Sequence, residues 1–177
     1  MSVFAIEHRA ALDGKAPINS VGLVLHAQPE GHVLHILSTK ARDGSAEALI
    51  TMIGCDALAV RAISPGQWFM VGDEPMLPAA LAELANRLKP IADVVDQSHG
   101  RVRMAISGTK MLSVLAKSTA ADLSKIAFPI GHATTTLFGH ISAHVTRMSE
   151  NTFELMALRG FAESLWNELV DLSAEYC

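Results

Sequence analysis

Charge is scarce in this chain and clustered basic charge is absent. Asp, Glu, Lys and Arg make up 18% of 177 residues, and the 14 basic ones are dispersed. With a formal charge of −4, the chain offers no footprint for a phosphate backbone, which argues against nucleic acid as a partner. Cysteine is nearly absent. Cys55 and Cys177 make neither a disulfide framework nor a metal pair of familiar spacing, so a reducing, cytoplasmic compartment is expected. Uninterrupted apolar runs are short. Glu7, His8 and Arg9 cut off the opening MSVFAI before a secretory core can form. Residues 126–146 hold no Asp, Glu, Lys or Arg, yet Pro129, Gly131, Gly139, three histidines and four threonines interrupt them. That stretch reads as two strands, not as a membrane span.

Catalytic signatures are missing as well. There is no Gly-x-Ser-x-Gly elbow and no Gly-x-Gly-x-x-Gly fingerprint, and Gly108–Thr109–Lys110 lacks the glycine spacing of a phosphate loop. Asp96, Ser98 and His99 have the composition of a hydrolase site, but on a strand His99 turns away from the face that Asp96 and Ser98 share. His32 and His35 fall on opposite faces of a strand. His140 and His144 share parity without a neighbouring thiol or carboxylate to complete a tetrahedral set. The expected catalytic, cofactor-binding and metal-ligating sets in this chain are therefore empty.

What the chain has in abundance is apolar surface. Half of its residues are hydrophobic and its mean hydropathy is +0.29. A domain this small keeps proportionally more surface than a large one, so the excess is expected to be covered by a partner. Eight methionines suit adaptable packing at such contacts. Trp68 and Trp166, beside apolar neighbours, read as core.

Residues 1–20 are weakly patterned and are expected to form an arm. Val21–His26 and His32–Ser38 flank the turn residues Gln28–Pro29–Glu30–Gly31, predicting a hairpin. Ser45 is placed to cap a helix over 46–53, and 57–63 returns as a strand. Ser64–Pro65–Gly66 supplies the proline and glycine of a reversal before a strand over 67–72. Asp73, Glu74 and Pro75 then suit a helix start, with Leu77, Leu81, Leu84 and Leu88 as one buried stripe. Val94–Ser98 and Arg101–Ser107 predict a second hairpin across His99–Gly100. In the latter strand Val102, Met104 and Ile106 oppose Arg101, Arg103 and Ala105. A helix over 110–117 follows, then strands over 132–138, 140–147 and 152–158. A final helix over 161–175 buries Phe161, Leu165, Leu169 and Leu172. Strands outnumber helices without repeated βαβ units, so the fold class is α+β, with antiparallel sheets covered by helices in two interlocked ferredoxin-like lobes. The chain is read as one domain over 1–177, with lobes at 1–62 and 63–177.

The blocks SPGQWFMVGD, VVDQSHGRVRMAISG, AFPIGHATTTL and FELMALRGFAESLWNELVDLSAEY resemble, in order and spacing, the gamma subunits of heterotetrameric sarcosine oxidase. Trp68, Asp96, Gly100, Arg101, Ser107, Gly108, Phe128, Pro129, Arg159, Phe161 and Trp166 carry the likeness from about Arg61 onward; His99 departs from the acidic residue frequent there. The resemblance implies kinship of fold with the folate-binding T-protein of glycine cleavage and with the N-terminal domain of a tRNA-modifying GTPase. It implies a division of labour too. Alpha and beta partner subunits would carry FAD, FMN, NAD and the tetrahydrofolate site, and a small delta subunit zinc, leaving this chain a noncatalytic support for oxidative demethylation of sarcosine to glycine. A subunit of N-methylglutamate dehydrogenase or another N-methyl amino acid demethylase fits the same resemblance. A standalone folate-binding, one-carbon transfer protein would need a pterin-binding carboxylate, for which Asp93 and Asp96 are the local candidates.

Overall fold

Strand alternation writes two faces into nearly every β-segment, and the fold uses both. The structure, a computed structural model, describes residues 9–39 and 46–177. Ser45, the expected helix cap, and most of the arm's first half lie outside the described residues. The strands are β1 (Ile18–Ser20), β2 (Leu23–Ala27), β3 (His32–Ser38), β4 (Val60–Ser64), β5 (Gln67–Gly72), β6 (Ala92–Asp96), β7 (Arg101–Ser107), β8 (Ala133–Phe138), β9 (Ile141–Ser149) and β10 (Thr152–Leu158). The helices are α1 (Ala46–Ile53), α2 (Pro78–Leu88), α3 (Met111–Leu115) and α4 (Arg159–Ser173).

A six-stranded sheet runs β1-β2-β7-β10-β9-β8, and a four-stranded sheet runs β4-β5-β3-β6. All their pairings are antiparallel. One face of the large sheet packs Val102, Met104, Ile106, Phe153 and Leu155 beneath Leu165, Trp166 and Leu169 of α4 and Val114 of α3. One face of the small sheet packs Leu34, Ile36, Trp68 and Met70 against Leu49 of α1 and Leu84 and Leu88 of α2. The remaining faces meet through Val33, Phe69, Val71 and Met156. The layers are thus helix, sheet, sheet, helix, and the α+β class holds.

Both predicted hairpins are corrected. β2 pairs with β1 and β7, whereas β3 pairs with β5 and β6; likewise β6 lies in the small sheet and β7 in the large one. The segments 28–31 and 97–100 are crossovers between sheets. Turn residues mark where a strand stops, not which strand it meets next. The first crossover is tight. Gln28 N donates to Arg103 O at 2.9 Å, and a Cβ on Gly31 would sit 2.1 Å from Gly72 O, so only glycine lets the chain pass there. The expected lobe boundary at residue 62 falls inside β4. The small sheet, over 32–96, is instead inserted between the segments that build the large one.

Smaller departures have local causes. α2 begins at Pro78, three residues later than Pro75 predicts, leaving Leu77 as its exposed N-cap (72% exposed). α4 begins at Arg159, which turns Phe161 outward (55% exposed) and brings Ala162 and Trp166 into the core. Methionine is not mainly a surface residue: Met70, Met104, Met111 and Met156 are buried.

Candidate functional site: the seam between the sheets

The faces that the sheets turn toward one another carry the residues that strand alternation places opposite the apolar cores. β4 contributes Arg61, β7 Arg101 and Arg103, β9 His144 and β10 Glu154. Arg61 Nε and Nη2 donate to Glu154 Oε1 at 3.4 and 3.2 Å. Arg103 Nη1 donates to Glu154 Oε2 at 3.2 Å. One carboxylate of the large sheet therefore bridges guanidiniums from both sheets. Arg103 Nη2 extends the chain to Asp73 Oδ1 at 2.6 Å and to the carbonyls of Pro29 and Gly72 at 3.2 Å each. It thereby ties the first crossover to the end of β5. Arg61, Arg103 and Glu154 are all buried. Burial pushes the Arg61 guanidinium below its usual range, and Glu154 opposes that shift.

A cavity of about 370 Å³ opens beside this network, lined among others by Asp56, Arg61, Asp73, Arg103, Thr152 and Glu154. Two of its acids are occupied by arginine. No histidine or cysteine is among its described lining residues.

A second, smaller cavity of about 160 Å³ lies farther along the seam, lined by Phe69, Arg101, Thr135, Ser142, His144, Leu158 and their apolar neighbours. The Arg101 guanidinium stacks over Phe69, 4.4 Å from the ring centroid, and its Nε donates to Gln97 Oε1 at 2.6 Å. The His144 ring meets Phe69 edge-on at 5.4 Å. Its Nδ1 bonds the Thr135 hydroxyl at 3.1 Å. Burial, with Arg101 and Arg61 nearby, depresses its pKa to about 4.

Of the residues singled out by sequence, His144 lies in this second cavity; the others fall elsewhere or take structural parts. Ser98 Oγ donates to Asp96 Oδ1 at 2.5 Å and accepts from Val33 N at 3.0 Å, fastening the second crossover to β3. These bonds to Ser98 hold the Asp96 carboxyl below its usual range. Asp93, exposed on edge strand β6, pairs with Lys89. His32 bonds Glu74 O through Nδ1, and His35 bonds Gln67 through Nε2. His140 is exposed in the turn before β9, while His144 is buried. Trp68 and Trp166 lie in the two opposite cores. Lys110 N and Gly108 N donate to Gly22 O and Asn151 O, so this glycine-lysine segment joins two loops.

Arg61, Arg103 and Glu154 were not singled out by sequence reasoning. Their signal was present as a charge on the less apolar face of an otherwise apolar strand, most plainly Glu154 within FELMAL. Arg159 was part of the family likeness, and its role is now visible. Nη1 pairs with Glu30 at 2.9 Å and Nη2 donates to Arg9 O at 2.6 Å, while Glu30 also accepts from Ala11 N. It straps the arm and the first crossover to the start of α4.

The family model of the sarcosine oxidase gamma subunit family matches residues 44–175. The chain belongs to that family. A gamma-family chain should share its fold with a solved oxidase, and it does: one chain of the heterotetrameric sarcosine oxidase from Corynebacterium sp. U-96, in complex with pyrrole 2-carboxylate, superposes with a TM-score of 0.80. The identity is 22%, covering 96% of each chain. The glycine cleavage system aminomethyltransferase T from Bartonella henselae matches with a TM-score of 0.60 and 15% identity, over 85% of this gamma-family chain and 46% of that protein. At these identities the likenesses establish the fold. No curated protein matches by sequence.

Proposed function

We propose that this chain is a noncatalytic support subunit of a flavin-dependent, heterotetrameric complex that oxidatively demethylates an N-methyl amino acid, sarcosine being the simplest substrate. The observation that carries this reading is the family match over residues 44–175. Two of the three acids at the larger seam cavity, Glu154 and Asp73, are held by arginines, which supports this reading. The chain's part is to present surface to larger alpha and beta subunits, which would hold FAD, FMN, NAD and tetrahydrofolate, with zinc in a small delta subunit. Exposed Val21, Leu77, Ile126 and Phe161 supply apolar contacts for that purpose. The amine differs between sarcosine oxidation and N-methylglutamate dehydrogenation only in contacts that this reading assigns to the other subunits.

Co-purification from the native source tests the reading. Yellow, flavin-bearing large chains recovered at fixed stoichiometry are expected. A colourless monomer that demethylates an amine unaided would overturn the proposal.

The fold likeness to the aminomethyltransferase favours one other reading, a standalone folate-binding protein. Against it, Asp96 is held by Ser98 and Asp93 by Lys89. Titration of the purified chain with tetrahydrofolate separates the two, because saturable binding belongs only to the folate reading.

A further inference from the structure

The cavity at Phe69, Arg101 and His144 contains an electrostatic imbalance that the rest of the seam does not. Arg61 and Arg103 share the Glu154 carboxylate, and Arg103 has Asp73 besides. Arg101 has neither. Among the described residues its guanidinium forms no ion pair; its contacts are the Gln97 amide oxygen and the Phe69 ring. Burial holds its pKa below the usual range. A partly desolvated cation without a counter-ion is costly in a folded chain, and an anion that removes the deficit gains a charge-assisted hydrogen bond.

Other residues of the same lining supply polar atoms. His144, 3% exposed, uses Nδ1 on Thr135 and leaves a buried Nε2 with no partner. If Nδ1 accepts from the Thr135 hydroxyl, Nε2 carries the ring proton and is a donor. Ser142 adds a hydroxyl to the same lining. The apolar part of the lining, Ile63, Phe69, Met156 and Leu158, suits a short hydrocarbon tail. The volume of about 160 Å³ is close to the ~150 Å³ of a cavity that binds benzene, which is room for a molecule of a few heavy atoms.

We infer that this inter-sheet cavity binds a small free carboxylate, with Arg101 as its counter-ion, His144 Nε2 as a second donor, and the Phe69 side of the cavity receiving the apolar portion. The lining residues named here all come from this chain. This carboxylate site goes beyond the assembly reading, which co-purification tests independently.

The test uses the full chain with isotope-labelled histidine, the His144 ring signals being identified by their loss in His144→Gln. Titration with acetate in a carboxylate-free buffer is expected to shift those signals saturably, and chloride at equal ionic strength to leave them in place. Arg101→Gln should weaken acetate binding by roughly tenfold or more, while Arg87→Gln, a surface arginine on α2, should not change it. Ser142→Ala, an exposed position that does not threaten the fold, should weaken binding by a smaller factor. A His144 signal that does not move, that moves equally with chloride, or that keeps its acetate affinity in folded Arg101→Gln overturns the inference.

Discussion

Glu154 shows what a single side chain can decide. Its carboxylate is the only one that the buried arginine Arg61 pairs with among the described residues, and it holds one side of Arg103 as well. Replacing it by glutamine keeps the shape and removes the charge, leaving two buried guanidiniums undercompensated. Breaking a buried pair in this way costs about 3–5 kcal/mol, so Glu154→Gln should lower the urea midpoint sharply, whereas the exposed Lys125–Glu150 pair should be nearly silent when broken. His144 adds a pH dependence with a definite sign. Its folded pKa of about 4 lies below the ordinary 6.5, so the folded state holds the neutral ring and the unfolded state takes the proton first. The contribution is complete above pH 6.5 and is lost as pH falls toward 4, amounting to about 2–3 kcal/mol by pH 4.5. Comparing wild type with His144→Gln at pH 7 and pH 4.5, in a carboxylate-free buffer, should show the stability gap shifting against wild type in acid. A gap independent of pH would contradict the burial argument.

Element by element, sequence pattern specified nearly every strand and helix but not their neighbours. α1 and β5 occupy the ranges expected, and β8, β9 and β10 fall within a residue or two of theirs, because alternation, glycine and proline are local signals. Both crossovers were misread as hairpins for the complementary reason. A strand with one apolar face can pair with any strand of matching pattern, and what excludes β2–β3 pairing is the three-dimensional placement of β7 and β5. The seam is hidden in the same way: alternation turns Arg101 and Arg103 away from Val102 and Met104, but what they meet there is the end and middle of β5 in the other sheet, 30 or more residues distant in sequence. Two glycines test the crossover account. Gly31→Ala forces a methyl against the Gly72 carbonyl and should cost about 1–3 kcal/mol as overpacking. Gly160→Ala, in the first turn of α4 with open space around it, should stabilise by about 0.4–1 kcal/mol through the unfolded chain. Denaturation of the two variants side by side checks the contrast.

At the scale of the whole molecule, the inserted small sheet raises the question of whether 32–96 unfolds by itself. Its two connections to the large sheet are not slack linkers. The first is pinned by Arg103 to Pro29 and Gly72 and by Glu30 to Arg159, and the second by Gly100 O accepting from Arg159 N. Releasing the small sheet would also expose Val33, Phe69, Val71 and Met156 and break the Arg61–Glu154 pair. Burial of those side chains is worth about 1.5–3 kcal/mol each before entropy is charged against it, a sum comparable with the entire 5–15 kcal/mol that holds a domain together. One cooperative unit is therefore expected. The tryptophans make this measurable because each reports one core: Trp68 lies under the small sheet's helices and Trp166 under α4. Trp166→Phe leaves Trp68 as the sole indole, and Trp68→Phe leaves Trp166. Fluorescence of each variant in urea should trace the same transition as that variant's own backbone circular dichroism. Should Trp68 report an earlier transition while circular dichroism retains the large sheet's signal, the insert is an independent unit and the seam contributes far less than its buried charges and rings imply.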